Sequence, residues 1–106
     1  MTEFDFEMEQ ESTTRTRDDV QEPSMFKVLL HNDDYTSMEF VVQILIAVFR
    51  KTAGEATRIM LNVHRKGIGL CGIYPFDIAE TKVATVHRVA RDNGFPLKCT
   101  MEEDGP

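Results

Sequence analysis

Met38–Phe49 carries large apolar side chains at nine of its twelve positions: Met38, Phe40, Val41, Val42, Ile44, Leu45, Ile46, Val48 and Phe49. A helix on that segment has almost no polar stripe to give to water, so the pattern predicts a central element contacted on most sides. In front of it, Thr36-Ser37-Met38-Glu39 matches the T-x-x-E capping box, in which a hydroxyl and a carboxylate satisfy the first free backbone N–H groups. The helix is expected to open there and run to about Lys51. Everything else in the chain must supply its cover, and 106 residues provide one domain to do so.

The flanking segments have the right character. Met25–His31 is β-rich, with Phe26, Val28 and Leu30 on one face of a predicted strand. Asn32-Asp33-Asp34 follows as a polar turn, because short Asx side chains bond neighbouring backbone N–H groups. Thr52-Ala53-Gly54-Glu55 is a second T-x-x-E and predicts a helix through roughly His64, with Gly67 placed to stop it. Ile68–Tyr74 reads as a strand whose two glycines, Gly69 and Gly72, suggest a bulge or a close backbone approach. Pro75, read as a first-turn residue, starts a third helix to about Asp92 with an apolar stripe at Ala79, Val83, Val86 and Ala90. Asn93-Gly94 ends it, and Pro96–Met101 is the last predicted strand. The order β-α-α-β-α-β implies an α+β domain over residues 25–104, a three-stranded sheet with helices on one face.

Charge divides the chain. Residues 1–24 hold eight acids and two bases and carry the whole net charge of −6; the remainder holds ten of each. The leader's few apolar residues bury too little surface to offset ordering entropy, which predicts a flexible acidic N-terminal extension. A neutral domain behind an acidic leader is unsuited to phosphate backbones, so nucleic acid is not an expected partner. No apolar run approaches a membrane span, and neither a secretory nor a transit signal is recognisable. Two cysteines, Cys71 and Cys99, are too few for a disulfide framework or a four-cysteine metal site, and they fit a cytoplasmic address.

Enzyme chemistry finds no motif. Cys71 and Cys99 lie in apolar strand contexts, where cysteine behaves as a small hydrophobe rather than a nucleophile. His31, Asp33, Asp34 and His64 are all possible metal ligands, but nothing in their spacing pins a site. Binding is more promising. Met60, Val63 and His64 share one helical face, and Asn32–Thr36 could lie opposite. Two apolar groups and an imidazole facing amide and carboxylate groups would suit a ligand with an apolar body and a cationic head. Spacing alone equally allows Met60 and Val63 to be core, with His64 a helix-end cap.

Longer runs of residues narrow the choice. Met25–Leu30, Asn32-Asp33-Asp34-Tyr35-Thr36 and Met38-Glu39-Phe40-Val41 closely resemble the ClpS adaptor family. So do Met60-Leu61, Val63-His64, Cys71-Gly72, Ala79-Glu80-Thr81-Lys82-Val83 and Pro96–Thr100. The likeness covers about residues 24–103 in order. It implies a non-enzymatic adaptor without cofactor or metal. Such adaptors bind the free N-terminal Leu, Phe, Tyr or Trp of N-degron substrates and deliver them to the unfoldase ClpA or ClpC for degradation by ClpP. By the same resemblance Asn32, Asp33 and His64 hold the substrate's α-amino group, with Asp34 supporting the turn. Thr36, Met38, Val41, Met60, Val63 and Leu97 line the pocket for the first side chain, Met38 acting as a gate against β-branched residues. Asp77 and Lys82, with Glu80 beside them, face the N-terminal domain of the unfoldase, and the acidic extension helps delivery.

Those implied roles make chemical sense. An α-amino group has a pKa of about 7.7–8.0, so it is largely cationic at neutral pH, with three donors to satisfy. An imidazole nitrogen, an Asn carbonyl and a carboxylate are suitable acceptors. Three departures from the family pattern stand out: Ser37 where many members have Pro, Pro75 opening the third helix, and His31 before the turn. We expect a monomer. The alternative within the same fold is a module that binds the unfoldase without reading N-termini, and a metal-dependent hydrolase on His31, Asp33, Asp34 and His64 is the more distant rival.

Overall fold

The computed structural model describes residues 23–105; the expected acidic extension, apart from Pro23 and Ser24, lies outside them. Three strands and three helices follow in the predicted order: β1 (Met25–His31), α1 (Met38–Ala47), α2 (Ala53–Lys66), β2 (Ile68–Pro75), α3 (Phe76–Asp92) and β3 (Lys98–Glu103). β1 is the central strand, antiparallel to β2 on one side and β3 on the other. Its alternation sets which face the helices cover. Val28 and Leu30 are fully buried beneath the helices, while Lys27, Leu29 and His31 point to the other, open face.

The glycines of β2 have separate explanations. Val28 pairs with Gly72 but Leu29 with Leu70, so Cys71 is the extra residue of a β-bulge. Gly69 is a close approach: a Cβ there would lie 2.6 Å from Val63 Cγ2 and 3.3 Å from the Ile59 carbonyl oxygen. β2 can therefore press directly against α2. α3 lays Ala79, Val86 and Ala90 onto the sheet, with Val83 half-buried beside them.

Five local expectations need correction. Ser37, not Thr36, caps α1, accepting from the Phe40 N–H at 3.1 Å; the Thr36 hydroxyl is committed to Asp33 instead. α1 stops at Ala47 rather than near Lys51, since Arg50 adopts a left-handed φ of 59° and Phe49 turns into the core. It is also less enclosed than its composition suggests, burying Phe40, Val41, Ile44 and Leu45 but leaving Ile46 41% exposed. Pro75 ends β2 and stands at the N-cap of α3, and β3 is shifted two residues toward the C-terminus of the predicted strand. The second T-x-x-E forms as read: Thr52 and Glu55 exchange reciprocal hydrogen bonds of 3.1 and 3.0 Å. Gly67 closes α2 in the left-handed conformation, its N–H bonding the Val63 carbonyl at 2.9 Å.

Candidate functional site

The backbone that leaves β1 is fixed before it reaches α1. Asn32 N–H donates to the Gly67 carbonyl at 2.9 Å, which ties the β1–α1 turn to the C-terminal end of α2. Asp33 then folds the turn on itself. Its Oδ1 accepts from the N–H groups of Tyr35 (2.8 Å) and Thr36 (2.7 Å), and its Oδ2 accepts from the Thr36 hydroxyl (2.8 Å). Partial burial pushes the Asp33 carboxyl upward, but the hydrogen bonds from Thr36 and Tyr35 outweigh it and hold the pKa below the ordinary value. The turn support expected of Asp34 thus comes from Asp33. Asp34 makes no side-chain hydrogen bond among the described residues.

Between this turn, the start of α1 and the last turns of α2 lies a cavity of about 270 Å³. Asn32, Asp33, Asp34 and His64 give it a polar side. Thr36, Met38, Val41, Met60 and Val63 complete the wall. The apolar floor is rigid because Val41 and Val63 belong to the core, whereas Met38 is 43% exposed at the edge. The side chains of Asn32 and His64, like that of Asp34, have no hydrogen-bond partner among the described residues, so their polar atoms are available to a ligand.

Nine of the ten residues expected around an N-terminal residue therefore meet at one cavity. Leu97 is the exception: it is buried in the core before β3 and does not line the cavity. On α3, Asp77 and Glu80 are exposed, and Asp77 Oδ1 accepts from the Ile78 N–H at 3.0 Å. Lys82 turns inward. Its Nζ donates to the Val48 carbonyl at 2.7 Å and lies 5.8 and 5.3 Å from the ring centroids of Phe49 and Tyr74.

Several features escaped the sequence. Phe76 and Ile78 flank Asp77 and are 52% and 46% exposed, an apolar border to the exposed acids of α3. A second, larger cavity of about 540 Å³ adjoins the first, sharing Met38 and Met60 and adding Glu39, Val42 and Gln43. The spacing of Met38, Glu39, Val42 and Gln43 places them on one helical face, which was the available signal.

The enzyme readings lose their chemistry. Burial pushes the Cys99 thiol up to about 12, and burial with neighbouring Cys99 pushes Cys71 up as well, the opposite of an activated thiolate. Among the described residues no three His, Cys, Asp or Glu side chains gather as a metal-ligand group. His31 is directed elsewhere, its Nε2 lying 2.7 Å from Thr100 Oγ1 on the open sheet face. No helix of the described residues is long and apolar enough to cross a membrane.

Comparison with known proteins gives one answer. Residues 21–100 match the family model described as ATP-dependent Clp protease adaptor protein ClpS. An ATP-dependent Clp protease adapter protein ClpS from Nitratidesulfovibrio vulgaris (strain Miyazaki F) is 69% identical over 86 residues, spanning 81% of this chain and 86% of the relative. The protein of that name from Syntrophus aciditrophicus is 58% identical over 95 residues, 90% of this chain and 89% of the relative. The solved structure of Agrobacterium tumefaciens ClpS2 bound to L-phenylalaninamide superimposes with a TM-score of 0.76 at 41% identity, covering 78% of this chain and all of that one.

Proposed function

The chain belongs to the ClpS family of Clp protease adaptors, and we propose that its cavity at the β1–α1 turn receives the free N-terminal residue of substrates destined for degradation. The carrying observation is the division of one cavity into a polar side with unpartnered Asn32, Asp34 and His64 and an apolar side of Met38, Val41, Met60 and Val63. The α-ammonium group is placed at the polar side. There Asn32 and His64 accept its hydrogens directly, and the carboxylates of Asp33 and Asp34 supply the countercharge. Asp33 retains this capacity because a carboxylate has about four acceptor sites and the turn uses three.

The first side chain occupies the apolar side, where burying a Leu or Phe contributes about 1.5–3 kcal/mol. Two methionines suit both a flat ring and a branched aliphatic group, since the thioether chain repacks at little cost. An acetylated N-terminus loses its charge and two of its three donors, leaving acceptors unpaired at about 1–3 kcal/mol each. The likeness to a ClpS2 bound to L-phenylalaninamide, a free amine next to a benzyl group, supports this reading. Delivery is assigned to ClpA or ClpC through the exposed Asp77 and Glu80 on α3, with Lys82 contributing mainly by holding that helix in place.

Fluorescence anisotropy with labelled peptides beginning Phe, Leu, Val or acetyl-Phe tests the proposal. Phe and Leu peptides should bind, Val weakly, and acetyl-Phe not measurably. Binding that ignored acetylation would sink it. The alternative of an unfoldase-binding module that does not read N-termini requires a defective cavity, and the continuous wall of polar and apolar groups disfavours it.

A further inference from the structure

We infer that the basic face of α2, with the loop before it, is a docking site for the acidic segment 3–9 at the start of this same chain. Residues 50–66 hold five bases, Arg50, Lys51, Arg58, Arg65 and Lys66, against the single acid Glu55, in a chain that is acidic as a whole. Arg58, Asn62 and Arg65 are exposed and follow one another at i, i+4 and i+7, on a different face of α2 from Met60 and His64. The inference therefore does not rest on the N-terminal reading of the cavity at the β1–α1 turn. Lys51, Glu55, Arg58, Ile59 and Asn62 line a separate cavity of about 300 Å³. Glu55 is engaged in the capping box, accepting from the Thr52 N–H. The ion pairs among the described residues are Lys27–Glu102 and Arg88–Asp92, so neither Lys51 nor Arg58 spends its charge in one. Two cations beside the half-buried Ile59 fit a peptide in which carboxylates and apolar groups are interspersed.

Sequence and position name the occupant. Glu3-Phe4-Asp5-Phe6-Glu7-Met8-Glu9 alternates acids with apolar residues and contains no base, so any two neighbours offer a carboxylate and an apolar group together. The segment also enters the domain at the right end. Lys51 follows Phe49 by two residues, the Phe49 ring centroid lies 6.4 Å from that of Tyr74, and Tyr74 pairs with Phe26, three residues after Pro23. Residues 10–22 can span up to about 43 Å, twice the roughly 21 Å length of the fourteen-residue α2. Reach is thus ample, and the tether keeps the acids close to the cations. Such an exposed site holds by charge, with about two- to five-fold from each ion pair and a strong dependence on salt.

The chain contains no tryptophan, so Phe6→Trp in the full chain puts a single fluorescent reporter in the segment. Its anisotropy and its protection from acrylamide are read at low salt and at about 1 M NaCl, where the screening length falls to about 3 Å. At low salt the reporter should be restrained and protected, and salt should release it. Lys51→Glu and Arg58→Glu should each lower the docked-to-free ratio by about two- to five-fold or more. Arg91→Glu makes the same charge change at an exposed site on α3 and should leave the ratio unchanged. Arg58→Gln, which removes the cation without adding an acid beside Glu55, gives the same reading should Arg58→Glu fail to fold. The signal should not change on dilution, as docking within one chain requires. A reporter equally free at low and high salt, or an equal loss in Arg91→Glu, would overturn the site. A signal that fades on dilution would assign the segment to a second copy and overturn the proposal as well.

Discussion

Thr36 gives Asp33 both its backbone N–H and its hydroxyl, at 2.7 Å to Oδ1 and 2.8 Å to Oδ2. This pairing turns the chain from β1 into α1 and holds Asn32 and Asp34 against the end of α2. It also explains why Thr36 does not cap α1. The rotamer that brings the Thr36 hydroxyl onto the carboxylate leaves the helix end to Ser37, whose oxygen accepts from the Phe40 N–H.

Removing one of the three bonds to Asp33 should therefore be felt at some distance. Thr36→Val is expected to lower stability by about 0.5–1.5 kcal/mol at neutral pH. Since the native pKa of Asp33 is depressed, its contribution is present above the ordinary carboxylate pKa and is lost as pH falls through the lower native value. Urea denaturation of the native and Thr36→Val proteins should thus give midpoints that differ at neutral pH and converge in strong acid. A constant difference down to the acid limit would contradict this role.

Lys82 reaches from α3 to the carbonyl of Val48, the C-cap of α1. α1 has no basic residue of its own in its last turn, so Lys82 supplies the charge complementary to that helix end. Lys82→Met keeps the stem and removes the ammonium, and should cost about 1–2 kcal/mol in thermal or urea unfolding. An unfoldase-binding defect in this variant would be ambiguous for that reason. Glu80→Ala, on the exposed side of the same helix, should leave the melting temperature unchanged and makes the cleaner probe of docking.

Gly69 is required by proximity rather than by backbone conformation. The 2.6 Å approach of a new Cβ to Val63 Cγ2 would force β2 and α2 apart, at about 1–3 kcal/mol for an overpacked interior. Val63 is also part of the cavity floor. Gly69→Ala should lower both the unfolding midpoint and the affinity for a Phe-initiated peptide. Unchanged values of both would show that the contact yields without cost.

The fold was largely legible in the chain because its local signals agree with one another. Alternation in β1, the capping box at Thr52 and the small-residue stripe of α3 each point to the element that forms. What remained hidden depends on tertiary partners. The end of α1 could not be read because Val48 and Phe49 continue the apolar pattern while the backbone turns at Arg50 to bury Phe49. Cys71 looks like any strand residue, and only its register against β1 reveals the bulge. In the site, the grouping of Asn32–Thr36 with Met60–His64 depends on the Asn32–Gly67 bond, which no spacing predicts; the resemblance supplied it. Leu97 shows the reverse limit, since an apolar residue suitable for the pocket is held by the core instead.

His31 provides a test of the open sheet face. Burial and the nearby Lys98 lower its pKa, and Glu102 only partly offsets them. The folded chain therefore binds this proton less readily than the unfolded chain, whose His titrates near the ordinary value of about 6.5. Stability should be full above that value and fall as pH drops from it toward the lower native pKa. Melting temperatures measured from about pH 8 to pH 5 should decline less for His31→Gln than for the native chain. An equal decline would remove His31 from the explanation.

The central claim is that an α-ammonium group and the first side chain are bound together in the cavity between the β1–α1 turn and the end of α2. Calorimetric titration with a Phe-initiated peptide and its N-acetylated form, on the native chain and on His64→Ala, measures this most directly. The expected result is stoichiometric binding of the free peptide, loss of it on acetylation, and marked weakening in a still-folded His64→Ala protein. Equal heats for the free and acetylated peptides, or full affinity without His64, would contradict the claim.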